Sequence, residues 1–363
     1  MPTPLAHDDP VTLGPYRLVA RLGSGGMGTV YMARGVGGRT VALKTTHARI
    51  ATDPGIRARF RLEVDAARVI GDRFGARVVD ADPFAETPWL ATEFVLGPAL
   101  DETVLGTGPL PERSVRALGA ALCSALDQLH RSDVVHRDLK PSNILLTAYG
   151  PKVIDFGIAR PEHGLTLTTT CQTPVTPGYG APEQVLGRRV TPAADVFSLG
   201  AVLAYALTGQ RAFEGSHVAV VQYAVVHGEP RLDGVEPQLR ALVEPCLAKD
   251  PAARPQPAEI VRAMDVSKRA DRAWKRGRLA DAIKERETGA ARMTTDATAQ
   301  LLRARRALTR RRLLAGLSTT GVVVAAGGGT TAWLLGTTGG STGGGPKAAP
   351  SPFRRRWPPP RPG

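Results

Sequence analysis

Apolar positions recur along the chain in short runs broken by glycines or by clustered charge, and each run predicts an element. In "RLGSGGMGTVYMA" the apolar pattern resumes at Thr29, Val30 and Tyr31 after the glycines, so a strand, a glycine loop and a second strand form a hairpin. The next run, "TVALK", ends in Lys44. In "RFRLEVDAARVI", Phe60, Val64, Ala67 and Ile70 stand at helical spacing, which sets Glu63 on the flank of an amphipathic helix. "WLATEFV" reads as a further strand, and "ADVFSLGAVLAYALTG" as a buried helix.

Charge interrupts this pattern most sharply in "VVHRDLKPSNILL", Val134 to Leu146, where a His, an Arg, an Asp, a Lys and an Asn lie between two apolar runs. A polar turn joining two strands often carries Asp, Asn, Pro and Ser for backbone reasons alone. The spacing adds a chemical reading. Asp138 and Asn143 are five residues apart with Lys140 between them, and twelve residues beyond Asn143 "KVIDFGIAR" mounts Asp155 on another apolar, β-like run. Two short strands presenting Asp, Asn and Asp at their ends suit a divalent metal on a phosphate. Upstream, Gly23, Gly25 and Gly28 form a G-x-G-x-x-G pattern whose missing side chains let backbone N–H groups approach phosphate oxygens. The dinucleotide-binding version of that pattern opens a helix, whereas this one returns as a strand. Lys44, at hairpin distance, can reach the same phosphates.

Five segments together resemble the Hanks-type Ser/Thr protein kinases. They are the glycine loop, V-A-L-K ending at Lys44, H-R-D-L-K-P-S-N from His136 to Asn143, D-F-G from Asp155 to Gly157, and A-P-E from Ala181 to Glu183. The resemblance, to the bacterial membrane-anchored receptor-like type, runs from about Tyr16 to Met264. It implies an α+β bilobal fold: a small β-rich N-lobe over 16–95 with one regulatory helix, and a larger α-helical C-lobe over 96–266. It also implies transfer of the γ-phosphoryl group of ATP to Ser or Thr hydroxyls of protein substrates. Lys44 would hold the α- and β-phosphates with Glu63 as its acid partner, and Asp138 would orient or accept the hydroxyl proton. Lys140 would steady the transferring phosphoryl, and Asn143 and Asp155 would ligate Mg2+, with Mn2+ an alternative. Leu22, Gly23, Ser24, Gly25, Gly26, Met27, Gly28, Val30 and Ala42 match ATP-binding positions of the family. Glu93 and Val95 match those whose backbone bonds adenine, and Thr92 falls at the gatekeeper.

The same resemblance gives structural roles to His136 beneath the D-F-G turn, to Asp195 as anchor of the catalytic loop, and to an ion pair between Glu183 and Arg254. Between D-F-G and A-P-E, "IARPEHGLTLTTTCQTPVTPGYG" reads by composition as a loop. In the family, Arg137 is the pocket for a phosphate on this loop, and such a phosphate adds a charge of about −2 that an Arg can pair in bidentate fashion. Thr176 matches the threonine that contacts the catalytic Asp and Lys. Counting back from it, Thr168 and Thr170 are the expected acceptors of autophosphorylation in trans, with Thr169 and Thr173 as alternatives. Val175 replaces a family Gly, and Gly180 stands where a bulkier residue commonly precedes A-P-E, so the substrate-docking surface departs from the pattern.

Composition changes the picture only at the ends. The chain has 47 Lys+Arg against 33 Asp+Glu, yet residues 267–312 carry 15 against 5 and residues 336–363 carry 5 against none, which leaves 27 against 28 elsewhere. The basic excess belongs to the flanks, and without a basic patch interleaved with aromatics no nucleic-acid partner is expected. Cys123, Cys171 and Cys246 have neither disulfide-framework nor zinc spacing, which fits a reducing cytosol. Residues 1–15 have no basic start and no apolar core, so they are expected to be disordered and not a cleavable signal. Residues 313–335 contain no charge and would span about 34 Å as a helix, enough for a bilayer core of about 30 Å, after the triplet Arg310, Arg311 and Arg312. A single transmembrane helix with the kinase domain cytoplasmic, in contact with membrane lipid, is expected, the competing reading being a Gly/Thr linker on a cytoplasmic protein. The 267–312 stretch then reads as a basic juxtamembrane segment and 336–363 as a disordered Gly/Pro-rich tail. The second functional reading is a pseudokinase or scaffold, but such proteins commonly lack one of the residues that here stand as Lys44, Asp138 and Asp155.

Overall fold

The structure, a computed structural model, describes residues 2–25, 28–155, 176–265 and 274–289. The first part of the chain forms one antiparallel sheet: β1 (Thr12–Leu13), β2 (Tyr16–Ser24), β3 (Gly28–Arg34), β4 (Thr40–Thr46), then β6 (Trp89–Glu93) and β5 (Val78–Asp82) in that spatial order. Period-two alternation gives the sheet two different faces. Tyr31, Val41, Leu43, Trp89 and Ala91 pack into an outer cluster with Tyr16 and Leu18, while Val30, Ala42, Lys44, Leu90 and Thr92 face a cleft. Helix α1 (Pro54–Phe74) crosses between β4 and β5. Pro54 starts it, the Asp53 carboxylate accepts from the Ile56 amide, and its apolar stripe buries Phe60, Val64, Ala67 and Ile70 as the spacing predicts. Gly71, at φ 64°, breaks the helical path one turn before its end.

The C-terminal lobe is helical, as expected. Helix α2 (Leu100–Thr107) precedes α3 (Glu112–His130), which packs on α5 (Pro192–Thr208). The sequence "ADVFSLGAVLAYA" of α5 is buried throughout, with Phe197 stacked on Phe213 at 5.6 Å. Around this centre lie α4 (Pro182–Val185), α6 (Val218–His227), α7 (Pro237–Val243) and α8 (Pro257–Ala263). The small hairpin β7 (Ile144–Thr147) and β8 (Gly150–Val153) carries Asn143 just before its first strand and Asp155 just after its second.

Two expectations about the flanks are corrected. The lead before Tyr16 is ordered instead of disordered: β1 pairs with β2, Thr3 pairs with Arg21, and Leu5 and Leu13 pack on the outer cluster. The apolar outer face and the free edge of β2 both need covering, and the lead covers them. Likewise, the 267–312 stretch is more than a basic run, because it contains helix α9 over residues 277–289. Trp274, Leu279 and Ile283 are buried in the main core. Arg286 pairs with Glu102 of α2 at 3.2 Å, and Lys275 lies 5.8 Å from the Tyr149 ring. Among the described residues no helix is long and apolar enough to cross a membrane, and the span 313–335 and tail 336–363 lie outside them.

Candidate active site

The cleft is roofed by the β2–β3 hairpin. Gly23 pairs with Val30 and Ser24 with Thr29, and the Gly25 amide donates to the Gly28 carbonyl at 2.9 Å. Only glycine fits at position 28, because a Cβ there would stand 1.8 Å from the Thr45 carbonyl oxygen. A Cβ at Gly23 or Gly25 would meet nothing within 4 Å, so both open onto free space where a phosphate could approach the backbone. Leu22, Gly23, Val30, Ala42, Lys44, Glu93 and Val95 line one cleft together with Asn143 and Asp155. Ser24, Gly25 and Gly28 do not line it. Instead the Ser24 hydroxyl bonds that of Thr29 across the hairpin at 3.2 Å. Gly26 and Met27 lie outside the described residues. Leu145 and Ile154 from the β7–β8 side, together with Ala67, Ala76, Leu90 and Thr92, complete the walls.

Lys44 sits between two acids, bonding Glu63 Oε1 at 2.5 Å and the carboxylate of Asp155. Burial favours its neutral form, but the two carboxylates outweigh this and hold it firmly protonated. The Asp155 carboxyl is likewise opposed by burial, yet Lys44 keeps it below the ordinary carboxylate range. Glu63, 2% exposed in the middle of α1, is pushed up to about 7 by burial against the pull of Lys44. Because this folded-state value lies above the ordinary 4.5, the group contributes stability that is full below 4.5 and is lost as pH rises through about 7. His136, lowered by burial, acts in the opposite sense over the same range, so the Glu63 contribution is read by comparison with a variant that lacks it. Between about pH 5.5 and about pH 8 the melting temperature of wild type, without added nucleotide, should fall by a few degrees relative to that of Glu63→Gln, and calorimetry of the two proteins at the two pH values checks it.

The catalytic loop is held from below. Asp195, fully buried at the start of α5, accepts the amides of His136 and Arg137, each at 2.8 Å, and His130 Nε2 at 2.8 Å. These bonds fix Arg137 at φ 67°, where a non-glycine residue needs support, and Gln184 Nε2 donates to its carbonyl at 3.0 Å. His136 is buried, burial lowers its pKa, and its Nδ1 accepts the Asp138 amide at 3.3 Å, so it packs as a neutral ring. The Asp138 carboxylate is shared: Thr176 Oγ1 donates to Oδ1 at 2.7 Å, and Lys140 Nζ stands 2.9 Å from Oδ2. Asn143 Nδ2 donates to the Asp138 carbonyl at 3.0 Å. Asp155 itself sits at φ 63°. The loop holding Thr168, Thr169, Thr170 and Thr173 lies outside the described residues.

Glu183 and Arg254 form the expected ion pair in bidentate form, at 2.7 and 2.9 Å, with both side chains buried. Arg254 also donates to the carbonyls of Ala248, Ala193 and Lys249 and lies 5.1 Å from the Phe197 ring. Two contributors escaped the sequence reading. One is His130, whose pairing with Asp195 spans 65 residues. The other is Lys152, which bonds the carbonyls of Asp72 and Gly75 and, at 3.0 Å, the carboxylate of Glu93. It ties the end of α1 to the strand that would face adenine. A lysine in the middle of the short β8 strand was the available signal.

Comparison with known proteins agrees with this geometry. The family model described as protein kinase domain matches residues 16–264. The serine/threonine-protein kinase AfsK of Streptomyces coelicolor is 45% identical over 257 residues, covering 70% of this chain and 32% of that protein. The probable serine/threonine-protein kinase PkwA of Thermomonospora curvata is 43% identical over 280 residues, covering 77% of this chain and 38% of that protein. The chain thus spans about a third of the length of the curated relatives it matches. The crystal structure of the Mycobacterium tuberculosis PknI kinase domain superposes with a TM-score of 0.56 at 27% identity, covering 72% of this chain and 99% of that one. The hairpin roof, the lysine held by a helix glutamate and the charged floor between β7 and β8 therefore have a common origin: the chain belongs to the protein kinase domain family, of the bacterial Hanks Ser/Thr type.

Proposed function

We propose that the chain is an active serine/threonine protein kinase that uses ATP with Mg2+, and that its own Thr-rich loop is among its substrates. The observation that carries this reading is the convergence of Lys44, Asn143 and Asp155 on one cleft beneath an open glycine roof, with the Asp138–Lys140 pair joined to it through the bond from Asn143 to the Asp138 carbonyl. The Glu93 amide is taken by the Arg77 carbonyl at 2.8 Å, so its contribution to adenine falls to its carbonyl, with the Val95 backbone beside it. Lys44, fixed by Glu63, would bind the α- and β-phosphates. Asp138 would hold the acceptor hydroxyl and take its proton, with Thr176 orienting one carboxylate oxygen and Lys140 positioned to balance the transferring phosphoryl.

The residues also fit a divalent ion. Asn143 commits its nitrogen to the Asp138 carbonyl, which leaves its amide oxygen to act with the Asp155 carboxylate as hard donors. Among the described residues no group of three or more His, Cys, Asp or Glu could hold a metal, so phosphates and water would complete the shell, as Mg2+ prefers and Mn2+ tolerates. When bound, the ion would neutralise phosphate charge as it develops on the leaving group. Arg137 beside Asp138 supports docking of an activation-loop phosphate, with Thr168 and Thr170 as acceptors in trans between two copies. The uncharged run 313–335 after Arg310, Arg311 and Arg312 supports a membrane anchor with the kinase domain cytoplasmic, which recovery of the full-length protein in the soluble fraction at low salt would refute.

A scaffold that binds without transfer is the reading to beat. Full-length protein incubated with γ-labelled ATP, Mg2+ and an unstructured protein substrate should label serine or threonine, and Lys44→Met should not. Nucleotide binding with no label in either would favour the scaffold.

A further inference from the structure

One carboxylate clips β2 to β3 at the root of the glycine loop. Asp9 Oδ2 accepts from Arg21 Nε at 2.6 Å and from the Ala6 amide at 2.7 Å. Its Oδ1 accepts from Arg21 Nη2 at 2.7 Å and from the Tyr31 hydroxyl at 2.6 Å. Arg21 and Tyr31 are direct cross-strand partners, so four donors from the lead and both strands meet on one side chain that is 3% exposed. The lead holds the same rung through the main chain, because Thr3 exchanges hydrogen bonds with both backbone groups of Arg21 at 2.8 and 2.9 Å. The bidentate Arg21 contact keeps the Asp9 carboxyl down to about 2, so the clip is charged throughout the working pH range.

The position of this clip gives it leverage on the cleft. Side chains alternate along a strand, and Tyr31 packs on the outer face, so Leu22 and Val30, the neighbours of Arg21 and Tyr31, point the other way and line the nucleotide cleft. The ladder between β2 and β3 slips between Arg21 and Gly23, immediately past the clipped rung. An irregular ladder leaves the strand angle underdetermined by main-chain bonds, and a bulge of this kind re-aims the residues beyond it. In this hairpin those residues form the glycine roof.

We propose that Asp9 is a positioning residue for ATP: acting through Arg21 and Tyr31, it sets the height of Leu22, Gly23 and Val30 above the cleft. The inference rests on the kinase reading and extends it to a segment that lies before residue 16, where the family match begins. The lead thus serves nucleotide binding without touching the nucleotide.

The test compares full-length wild type, Asp9→Asn and Tyr31→Phe by steady-state kinetics, by titration with fluorescent methylanthraniloyl-ATP, and by melting temperature. Asp9→Asn should raise both the KM for ATP and the Kd of the analogue about tenfold, while kcat and the KM for the protein substrate stay within about twofold. Tyr31→Phe, which removes one hydroxyl from a ring that stays buried, should shift the two ATP constants in the same direction by about two- to threefold. A clip that only stabilises the fold would lower the melting temperature and leave both ATP constants at wild-type values, and that result overturns the proposal. If Asp9→Asn does not fold, unchanged ATP constants in Tyr31→Phe overturn it equally. Wild-type protein that neither binds nor turns over nucleotide defeats the kinase reading itself, whereas normal turnover with no effect of either variant defeats only the clip.

Discussion

Replacing Asp138 by Asn is expected to lower kcat by about 10²- to 10⁴-fold, the range by which a positioned acid or base contributes, while the melting temperature and ATP affinity hardly change. The amide is nearly isosteric with the carboxylate. It can still accept from Thr176 Oγ1, whose contact with Asp138 Oδ1 is 2.7 Å. The buried amide contacts of residue 138 with His136 and Asn143 involve its backbone and are untouched. What is lost is the negative charge 2.9 Å from Lys140 and the capacity to take a proton from the acceptor hydroxyl. Lys140 is 24% exposed at its side chain, so water can compensate it and the fold should survive. A purified Asp138→Asn protein retaining more than about a tenth of wild-type kcat would remove Asp138 from the chemistry.

The largest expected loss of stability comes from Arg254→Met. The guanidinium is fully buried and bonds both oxygens of Glu183, and it also satisfies three backbone carbonyls from residues 193, 248 and 249. Its removal leaves a buried carboxylate and those carbonyls without their donor. Breaking a buried ion pair by deleting one partner costs about 3–5 kcal/mol, which at roughly 2–4 °C per kcal/mol is a fall in melting temperature of about 6–20 °C. Glu183→Leu combined with Arg254→Met should cost less than the sum of the single changes by about 1 kcal/mol or more, because the residual charge is gone. Thermal unfolding of the four proteins closes the cycle. A fall of less than about 2 °C for Arg254→Met would mean that the pair contributes little to the fold.

These two residues illustrate what the sequence made legible. Asp138 and Arg254 were identified because the chemistry or architecture they serve recurs within short motifs of fixed order, and the fold brings each to its expected partner. The helix carrying Glu63 was legible from a stripe of Phe60, Val64, Ala67 and Ile70, and the hairpin from the return of apolar residues after Gly28. Partners that close a contact across long sequence separations were not legible in the same way. His130 meets Asp195 only because α3 and α5 pack side by side, and Lys152 meets Glu93 only because the β7–β8 hairpin lies under the strand before it. Asp9 stands in a lead expected to be disordered, and the groups that order it, Arg21 and Tyr31, belong to a hairpin that must form first. Helix α9 was hidden by charge: Leu279 and Ile283, four residues apart, give it a buried face, but the surrounding Lys and Arg dominated the composition.

The central claim is phosphoryl transfer to Ser and Thr hydroxyls, and site-resolved mass spectrometry tests it most directly. Wild-type protein and Asp138→Asn, each stripped with a phosphatase and then given ATP, Mg2+ and a protein substrate, are compared for new phosphate. The expected result is phosphoserine or phosphothreonine on the substrate and within residues 156–175 of the wild-type chain, and almost none with Asp138→Asn. Tight nucleotide binding by the wild type with no gain of phosphate on any Ser or Thr, in the chain or in the substrate, would contradict it.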